Sequence, residues 1–188
     1  AHPSVLPDRS YMALLPNYSP TTQEITYVSF IEGQATTYLY DLQTGRQEAL
    51  FASNGRGAAA QVNPEGQSLS ARFSPDGSQL AVSIETRGGH DVHLFDLRTR
   101  NLVRLTDHPA DDVEPPFSPD GQQIVFSSAR GGGSQLYVMN ADGTDAHRVS
   151  FGTGRYTTPV WSPRGDFVAF TNQRGHQFSI GVFRAACP

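Results

Sequence analysis

Hydrophobic residues recur along the chain in short runs that clusters of Gly, Pro, Asp and Asn interrupt. Such runs predict short β-strands joined by tight turns rather than helices. After each Ser-Pro pair, two apolar columns repeat along the predicted strands, Ile25/Leu80/Ile124/Val168 and Tyr27/Val82/Phe126/Phe170. The column between them is small and largely apolar, Thr26/Ala81/Val125/Ala169. Both faces of this strand are therefore expected to be buried, as in sheets that stack face against face around an axis.

Four segments align without internal gaps, which makes an internal repeat the organising feature of the sequence. The segments begin at Leu14, Leu69, Val113 and Thr157. Their Ser-Pro pairs begin at Ser19, Ser74, Ser118 and Ser162, at spacings of 55, 44 and 44 residues. The longer first spacing predicts an insertion in the first unit, and the Gly/Ala/Asn-rich run from Ser53 to Gln67 is the expected surface loop.

Each unit is predicted to be a four-stranded antiparallel sheet. Its Ser-Pro-Asp-Gly sequence is typical of a tight turn, because Pro presets φ and Gly tolerates a positive φ. An open meander or a sandwich gives no reason for so regular a repeat, so we predict an all-β fold built of β-propeller blades. The whole chain, 1–188, is predicted to form one partial propeller domain with blades at about 14–51, 69–106, 113–150 and 157–184. The fourth unit ends after its third strand, where AACP replaces a turn and an outer strand.

Composition narrows the possible functions. The net charge is −4, the pI is about 5.8, and Lys and Arg form no cluster, so nucleic acid is not an expected partner. No stretch approaches the roughly 20 apolar residues of a membrane span, so no membrane insertion is expected. The first residues lack a basic segment followed by an apolar run, so no signal peptide is predicted. The single Cys187 excludes an internal disulfide framework.

A family resemblance follows from the sequence motifs FSPDG, QLYVMNADGT and TTPVWSPRGDFVAFT, the last followed by FSIGVFR. They resemble the C-terminal propeller of the TolB family over roughly residues 9–184. The resemblance implies a periplasmic protein of the Tol–Pal envelope system of Gram-negative bacteria, in which a six-bladed propeller follows a separate α/β domain. It further implies that the propeller mouth binds the peptidoglycan-associated lipoprotein, Pal. The matching partner-binding positions are Asp111, Glu114, Tyr156 and Thr158.

Four units cannot complete a six-bladed ring, so flat apolar faces and strand edges need a cover. Three arrangements remain open. Residues Pro3–Leu6 could supply the missing outer strand of the fourth blade, or the four units could tighten into a small closed ring. Alternatively, two chains could associate and complete a larger propeller by oligomerisation. We prefer association, as a symmetric homodimer.

A set of His and carboxylate residues is expected at the channel mouth, because loops between strands two and three share one end with loops between blades. The set comprises His90, His108, Asp111, Asp112, Glu114 and His176. Glu114 is expected to begin an inner strand and is equivalent to Leu15, Ser70 and Thr158. His90 is expected to lie near His108. Imidazoles and carboxylates bind divalent metals, so this set is a candidate site for Zn, Mn or Ca.

Each metal candidate has a simpler interpretation. His93 could add a ligand, but it occupies the column of Tyr38 and Tyr137 and is also interpretable as a packing residue. The other His and Asp residues are equally interpretable as solvated or turn-forming loop residues.

Two functions follow from these features. The first is a noncatalytic protein-interaction scaffold that binds a Pal-type partner at the mouth. The second is a metal-dependent hydrolase of esters or phosphotriesters, at the mouth or in a channel that two chains share. No GxSxG sequence is present, and the Gly-rich runs precede no helix, so neither a serine hydrolase nor a phosphate cradle is expected.

Overall fold

The computed structural model describes residues 13–30, 34–51, 67–86 and 88–185. Within these ranges the chain forms fifteen β-strands and no helix. The predicted all-β fold is confirmed. None of the described segments is a helix long and apolar enough to span a membrane.

The strands pair in chain order into four antiparallel sheets. The first sheet contains β1 (Ala13–Tyr18), β2 (Glu24–Ser29), β3 (Thr36–Asp41) and β4 (Gln47–Ala49). The second contains β5 (Ser68–Phe73), β6 (Gln79–Thr86), β7 (Gly89–Asp96) and β8 (Leu102–Arg104). The third contains β9 (Asp112–Val113), β10 (Gln123–Ser128), β11 (Gln135–Asn140) and β12 (His147–Arg148). The fourth contains β13 (Arg155–Trp161), β14 (Phe167–Arg174) and β15 (Gln177–Arg184).

The fourth sheet has three strands in the described part of the chain, as the sequence predicted. The predicted outer strand from Pro3–Leu6 lies outside the described residues, and so does the predicted loop from Ser53 apart from Gln67.

The Ser-Pro-Asp-Gly turns have the predicted geometry. In the second sheet, Gly77 N donates to Ser74 O at 2.9 Å and Gly77 has a φ of 72°. The carboxylate of Asp76 accepts from Ser74 Oγ at 2.6 Å and from the backbone N of Ser78 at 3.1 Å. A left-handed φ costs an L-residue roughly 1–2 kcal/mol, so this position favours Gly.

Each sheet buries both faces when it has two neighbours. We call the face toward the preceding sheet the leading face and the face toward the following sheet the trailing face. On the leading face of the third sheet, Ile124 and Phe126 pack against Ala81 and Val92, on the trailing face of the second. The first and second sheets, and the third and fourth, pack in the same sense. Each buried Val, Leu, Ile or Phe contributes about 1.5–3 kcal/mol, so these faces hold the stack together.

The turns also stack along the array, at the end of the sheets opposite the loops between them. A Cβ atom on Gly121 would lie 3.5 Å from Cδ of Pro75, and one on Gly165 would lie 3.6 Å from Cδ of Pro119. Pro75 and Pro119 therefore lie against the turn Gly of the following sheet, whereas Gly77 lies against Thr21 of the first turn. Pro163, in the fourth turn, is exposed.

The fourth sheet does not close onto the first. Ile180 and Val182, on its trailing face, are exposed. The small closed ring considered from the sequence is therefore not the arrangement that the described residues adopt.

Candidate functional site

The loops between the second and third strands lie beside the loops between sheets, at an end of the stack that we call the mouth. A Cβ atom on Gly88 would lie 3.0 Å from Cα of Pro109, and one on Gly89 would lie 3.1 Å from the carbonyl carbon of Ala110. For the described residues, the predicted proximity of the 85–91 and 106–113 loops is confirmed.

His90 and Asp111 form a pair across these two loops. His90 Nδ1 lies 2.8 Å from Asp111 Oδ1, and the backbone N of His90 donates to the same oxygen at 3.1 Å. These hydrogen bonds, chiefly the one from the imidazole, hold the pKa of Asp111 below its usual value. The carboxylate is more than half exposed, so the pair presents an anionic group at the mouth.

Asp91 is a buried carboxylate next to this pair that was not among the predicted site residues. Its oxygens accept from Thr86 Oγ1 at 2.7 Å, Thr106 Oγ1 at 3.2 Å and the Arg104 guanidinium at 2.5 Å. Burial raises the pKa of Asp91, but hydrogen bonds led by those from Thr86 and Arg104 outweigh it and leave the pKa below its usual value. The hydrogen bonds of Asp91 therefore hold the loop that precedes the third sheet against β7.

In the third sheet, hydrogen bonds between neutral groups hold the equivalent loop in the same way. Ser150 Oγ donates to Gln135 Oε1 at 2.8 Å, and the backbone N of Leu136 donates to Ser150 Oγ at 2.8 Å. Gln135 and Ser150 follow Asp91 and Thr106 at the repeat spacing of 44 residues. That spacing is the sequence signal that could have identified Asp91 as structural.

His93 and His108 make local contacts. His93 is buried in β7, and its Nδ1 donates to the backbone O of Asp91 at 3.0 Å. Burial lowers the pKa of His93, which favours the neutral imidazole. His108 Nδ1 accepts from the backbone N of Ala110 at 3.1 Å, within its own turn. These geometries agree with packing and turn roles for the two residues.

Asp112 is fully buried at the start of β9 and pairs with Arg130 at 2.7 Å. The Arg130 guanidinium lies 4.7 Å from the ring centroid of Tyr137 and 5.5 Å from that of Phe126. Within the described part of the chain, the second carboxylate oxygen of Asp112 has no hydrogen-bond partner. This ion pair fixes the loop that contains Gly131 against the third sheet.

The inner strands carry an unusual backbone where they approach the mouth. Leu15, Glu114 and Thr158 have φ values of 55°, 57° and 50°, in the left-handed region. Each precedes a proline, whereas the equivalent Ser70 precedes Ala71 and is not left-handed. Left-handed non-Gly residues cost roughly 1–3 kcal/mol each and are concentrated at functional sites. A residue before proline ordinarily favours an extended backbone, so the X-Pro sequences did not predict this feature.

Glu114 connects the inner strands of neighbouring sheets. Its Oε2 accepts from the backbone N of Thr158 at 2.5 Å. Burial lowers the pKa of the Arg72 guanidinium on β5, and the Glu114 carboxylate acts in the opposite direction. Thr158 Oγ1 lies 2.7 Å from Thr171 Oγ1. Glu114 and Thr158, two predicted partner-binding residues, therefore lie next to each other on the channel side of the sheets.

The mouth exposes the aromatic side chain of Phe151 to solvent, and not that of Tyr156. Tyr156 is 5% exposed and packs 5.2 Å from Phe170, ring to ring, so it offers little surface to a partner. Phe151 is 75% exposed, and the Arg148 guanidinium lies 5.3 Å from its ring centroid. Phe151 was not among the predicted site residues, although an aromatic residue in a polar loop between sheets was the available signal.

The predicted metal candidates do not converge. His90 pairs with Asp111, Asp112 pairs with Arg130, and Glu114 contacts Thr158. His176 is exposed at the turn between β14 and β15. Among the residues that the structure describes, no three His, Cys, Asp or Glu side chains form a group that could hold a metal ion.

Comparison with known proteins relates this geometry to one family. A family model for the TolB beta propeller domain matches residues 1–187. The Tol-Pal system protein TolB of Gluconobacter oxydans (strain 621H) is 41% identical over 109 residues, which are 57% of this chain and 21% of that protein. The chain therefore spans about a fifth of the length of the curated relative that it matches.

Solved structures show the same likeness. The crystal structure of TolB from Acinetobacter baumannii has a TM-score of 0.76 and 26% identity, over 93% of this chain and 41% of that chain. A TolB candidate from Agrobacterium tumefaciens has a TM-score of 0.75 and 18% identity, over 93% of this chain and 77% of that chain. The second likeness shows the fold alone.

Proposed function

The chain belongs to the TolB β-propeller domain family, and from this membership we propose that it is a protein-interaction scaffold whose mouth binds a Pal-type lipoprotein. The curated relative is named as a Tol-Pal system protein. That relation supports both the class of partner and a periplasmic location. A propeller offers such a partner a rigid surface on which loops from several blades converge.

The observation that carries the proposal is the exposed aromatic side chain of Phe151 at the mouth. Aromatic and Arg residues dominate the binding energy of protein interfaces, whereas isolated surface charges contribute little. Arg148 stacks on Phe151, and its Nε also donates to the backbone O of Ser150 at 2.6 Å. The aromatic side chain is therefore supported before any partner arrives, which lowers the entropy cost of binding.

The carboxylate of Asp111 and the hydroxyl of Thr158 add polar contacts to this surface. Asp111 is oriented by His90, and Thr158 is oriented by Glu114 and Thr171. Polar groups that are already oriented give an interface its specificity and register. The arrangement favours a folded protein surface with both apolar and hydrogen-bonding groups over a small ligand.

Calorimetric titration with the folded domain of a Pal-type lipoprotein tests the proposal. Phe151→Ala should raise the Kd about tenfold or more, because it removes the exposed aromatic anchor. Asp142→Ala is the matched control, because Asp142 lies in the turn between β11 and β12, at the end opposite the mouth. Absence of binding, or an equal loss for both variants, would refute the proposal.

The second partner that we propose is another copy of this chain. Exposed apolar residues cover the trailing face of the fourth sheet: Val160, Phe167, Phe178, Ile180 and Val182. Contiguous apolar faces of this kind mark association surfaces. The hydrolase alternative has no comparable support, because its candidate ligands are separated into the pairs described above.

A further inference from the structure

A cavity of about 190 Å³ lies between the first and second sheets, at the end of the stack opposite the mouth. Three carboxylates and two guanidiniums line it, those of Glu24, Asp41, Glu48, Arg46 and Arg100. The cavity is more than large enough for one water molecule, which occupies roughly 30 Å³ of liquid. It belongs neither to the mouth nor to the trailing face of the fourth sheet, so the interactions proposed above do not use it.

Arg100 occupies a backbone position that ordinarily suits glycine. Its φ is 62°, and its backbone N donates to Asp96 O at 2.8 Å in the turn between β7 and β8. The equivalent turn of the first sheet has Gly45 there, with a φ of 71° and the same hydrogen bond to Asp41 O at 2.9 Å. Left-handed residues other than glycine are strained, and such strain is concentrated at functional sites. The turn itself does not require arginine, so the guanidinium needs another explanation.

The guanidinium of Arg100 is held in place with one nitrogen unused. Its Nη2 donates to Glu48 Oε2 at 2.9 Å, and the guanidinium lies 5.8 Å from the ring centroid of Phe95. Its Nη1 is buried, and no hydrogen-bond acceptor for it lies among the described residues. A buried donor without an acceptor destabilises the fold, and a guanidinium is well suited to bind a carboxylate. The Nη1 atom therefore indicates a ligand that supplies an oxygen.

Two carboxylates lie side by side on another wall of the cavity. Glu24 and Asp41 are directly opposite each other in the pair of β2 and β3, so their side chains share a face. Hydrogen bonds, chiefly from Thr44, hold the pKa of Asp41 below its usual value, so Asp41 is ionised at neutral pH. Like charges directly opposite each other destabilise a sheet. Arg46 is exposed and lowers the pKa of Asp41 less than those hydrogen bonds do, so a ligand cation has repulsion left to relieve.

We propose that this cavity binds a free α-amino acid, with the ligand carboxylate on Arg100 Nη1 and the ligand ammonium group beside Glu24 and Asp41. Leu39 and Leu97 complete the lining, which favours a small aliphatic side chain on the ligand. Three carboxylates against two guanidiniums leave the lining with a net charge of −1. That balance disfavours a simple anion, whereas a zwitterion places an opposite charge at each wall.

NMR titration of the isotopically labelled chain with L-valine tests the proposal. Isobutylamine and isovalerate are matched probes, because the first lacks the carboxylate of valine and the second lacks its ammonium group. We expect a Kd on the order of 1 mM or tighter for L-valine, and at least tenfold weaker binding of either analogue. Absence of L-valine binding would refute the proposal. Equal binding of isobutylamine or of isovalerate would also overturn it, because one charged group would then suffice.

Two substitutions test the residues at opposite walls of the cavity. Arg100→Gly introduces the residue that the first sheet uses at this turn, and Glu24→Gln removes one charge while keeping the shape of the side chain. Each should weaken L-valine binding about tenfold or more. Arg98→Ala is the control, because Arg98 lies in the same turn and is exposed, and it should leave the Kd unchanged.

Urea unfolding separates a lost site from a lost fold. L-valine should raise the unfolding midpoint of the parent chain and of Arg98→Ala, and it should have little effect on Arg100→Gly, which should still unfold cooperatively. If Arg100→Gly were not folded, the change in affinity of Glu24→Gln would decide. Folded variants that bind L-valine as tightly as the parent chain does would overturn the assignment of this cavity.

Discussion

At the scale of single residues, Asp91 and His93 show how burial affects two neighbouring side chains on β7 differently. Asp91 remains ionised because Thr86, Thr106 and Arg104 all donate to it. His93 donates a hydrogen bond to a backbone carbonyl, but desolvation by burial outweighs that contact and lowers the pKa of His93. A buried carboxylate whose desolvation is offset by hydrogen-bond donors stabilises the fold at neutral pH. A buried imidazole without such an offset lowers the stability of the fold in acid, where the unfolded chain binds a proton more readily.

We predict that His93→Tyr makes the protein less sensitive to mild acid. In the unfolded chain the imidazole gains its proton near its ordinary pKa of 6.5, whereas the folded chain resists protonation. Protonation therefore favours unfolding as the pH falls below 6.5 and toward the folded pKa. Tyr occupies this column in Tyr38 and Tyr137, so the replacement fits the site. Urea unfolding between neutral and mildly acidic pH should show a shallower loss of stability for His93→Tyr.

His147→Gln is the control for this measurement, because His147 is more than half exposed. That change should leave the pH dependence as it is in the parent chain. If His93→Tyr and the parent lost stability at the same rate on acidification, His93 would not be the group responsible.

At the scale of elements, the sequence predicted the sheets better than it predicted their ends. The turn residues and the apolar columns specify strand order and stacking, because those features depend on local φ preferences and on burial. The left-handed Glu114 was not predicted, since only Gly usually marks such positions. The predicted metal ligands include His90 and Asp112, whose actual partners, Asp111 and Arg130, depend on loop contacts that periodicity does not reveal.

The pairing of β14 with β15 provides an element-scale prediction about Gly181. Gly181 lies opposite Phe170, and a Cβ atom there would lie 2.3 Å from Cζ of the ring. Gly181→Ala should destabilise the fold by roughly 1–3 kcal/mol, because the ring must leave its place against Tyr156 and Phe183. Urea unfolding measures the change.

A double-mutant cycle distinguishes this contact from a general effect of the substitution. Val82 occupies the column of Phe170 in the second sheet, so Phe170→Val gives a side chain that the fold already uses there. In the Phe170→Val background, Gly181→Ala should cost little, because the ring that it would strike is absent. An equal cost in both backgrounds would show that the backbone at position 181, and not the ring, requires glycine.

At the scale of the whole molecule, the number of neighbours that a sheet has determines how well it is protected. The second and third sheets are covered on both faces, and their central residues Leu80, Val82, Val125 and Phe126 are fully buried. Among the residues that the structure describes, the fourth sheet is covered only on its leading face, where Trp161 and Val168 contact the third sheet. Stability in such an array is close to a sum over neighbouring contacts, so an end sheet opens more easily than an inner one.

Hydrogen exchange should therefore show a gradient along the stack. At low protein concentration, the backbone amides of β15 should exchange on the order of tenfold faster or more than those of β11, after correction for intrinsic rates. β15 is an edge strand among the described residues, and its trailing side chains lack a covering sheet, whereas β11 lies between two strands and two sheets.

Raising the protein concentration should slow amide exchange in β15 if second copies cover that face, while exchange in the outer strand β8 should stay unchanged. Equal protection of β15 and β11 at low concentration would contradict the nearest-neighbour account, because a face without a partner cannot be as stable as one buried between two sheets.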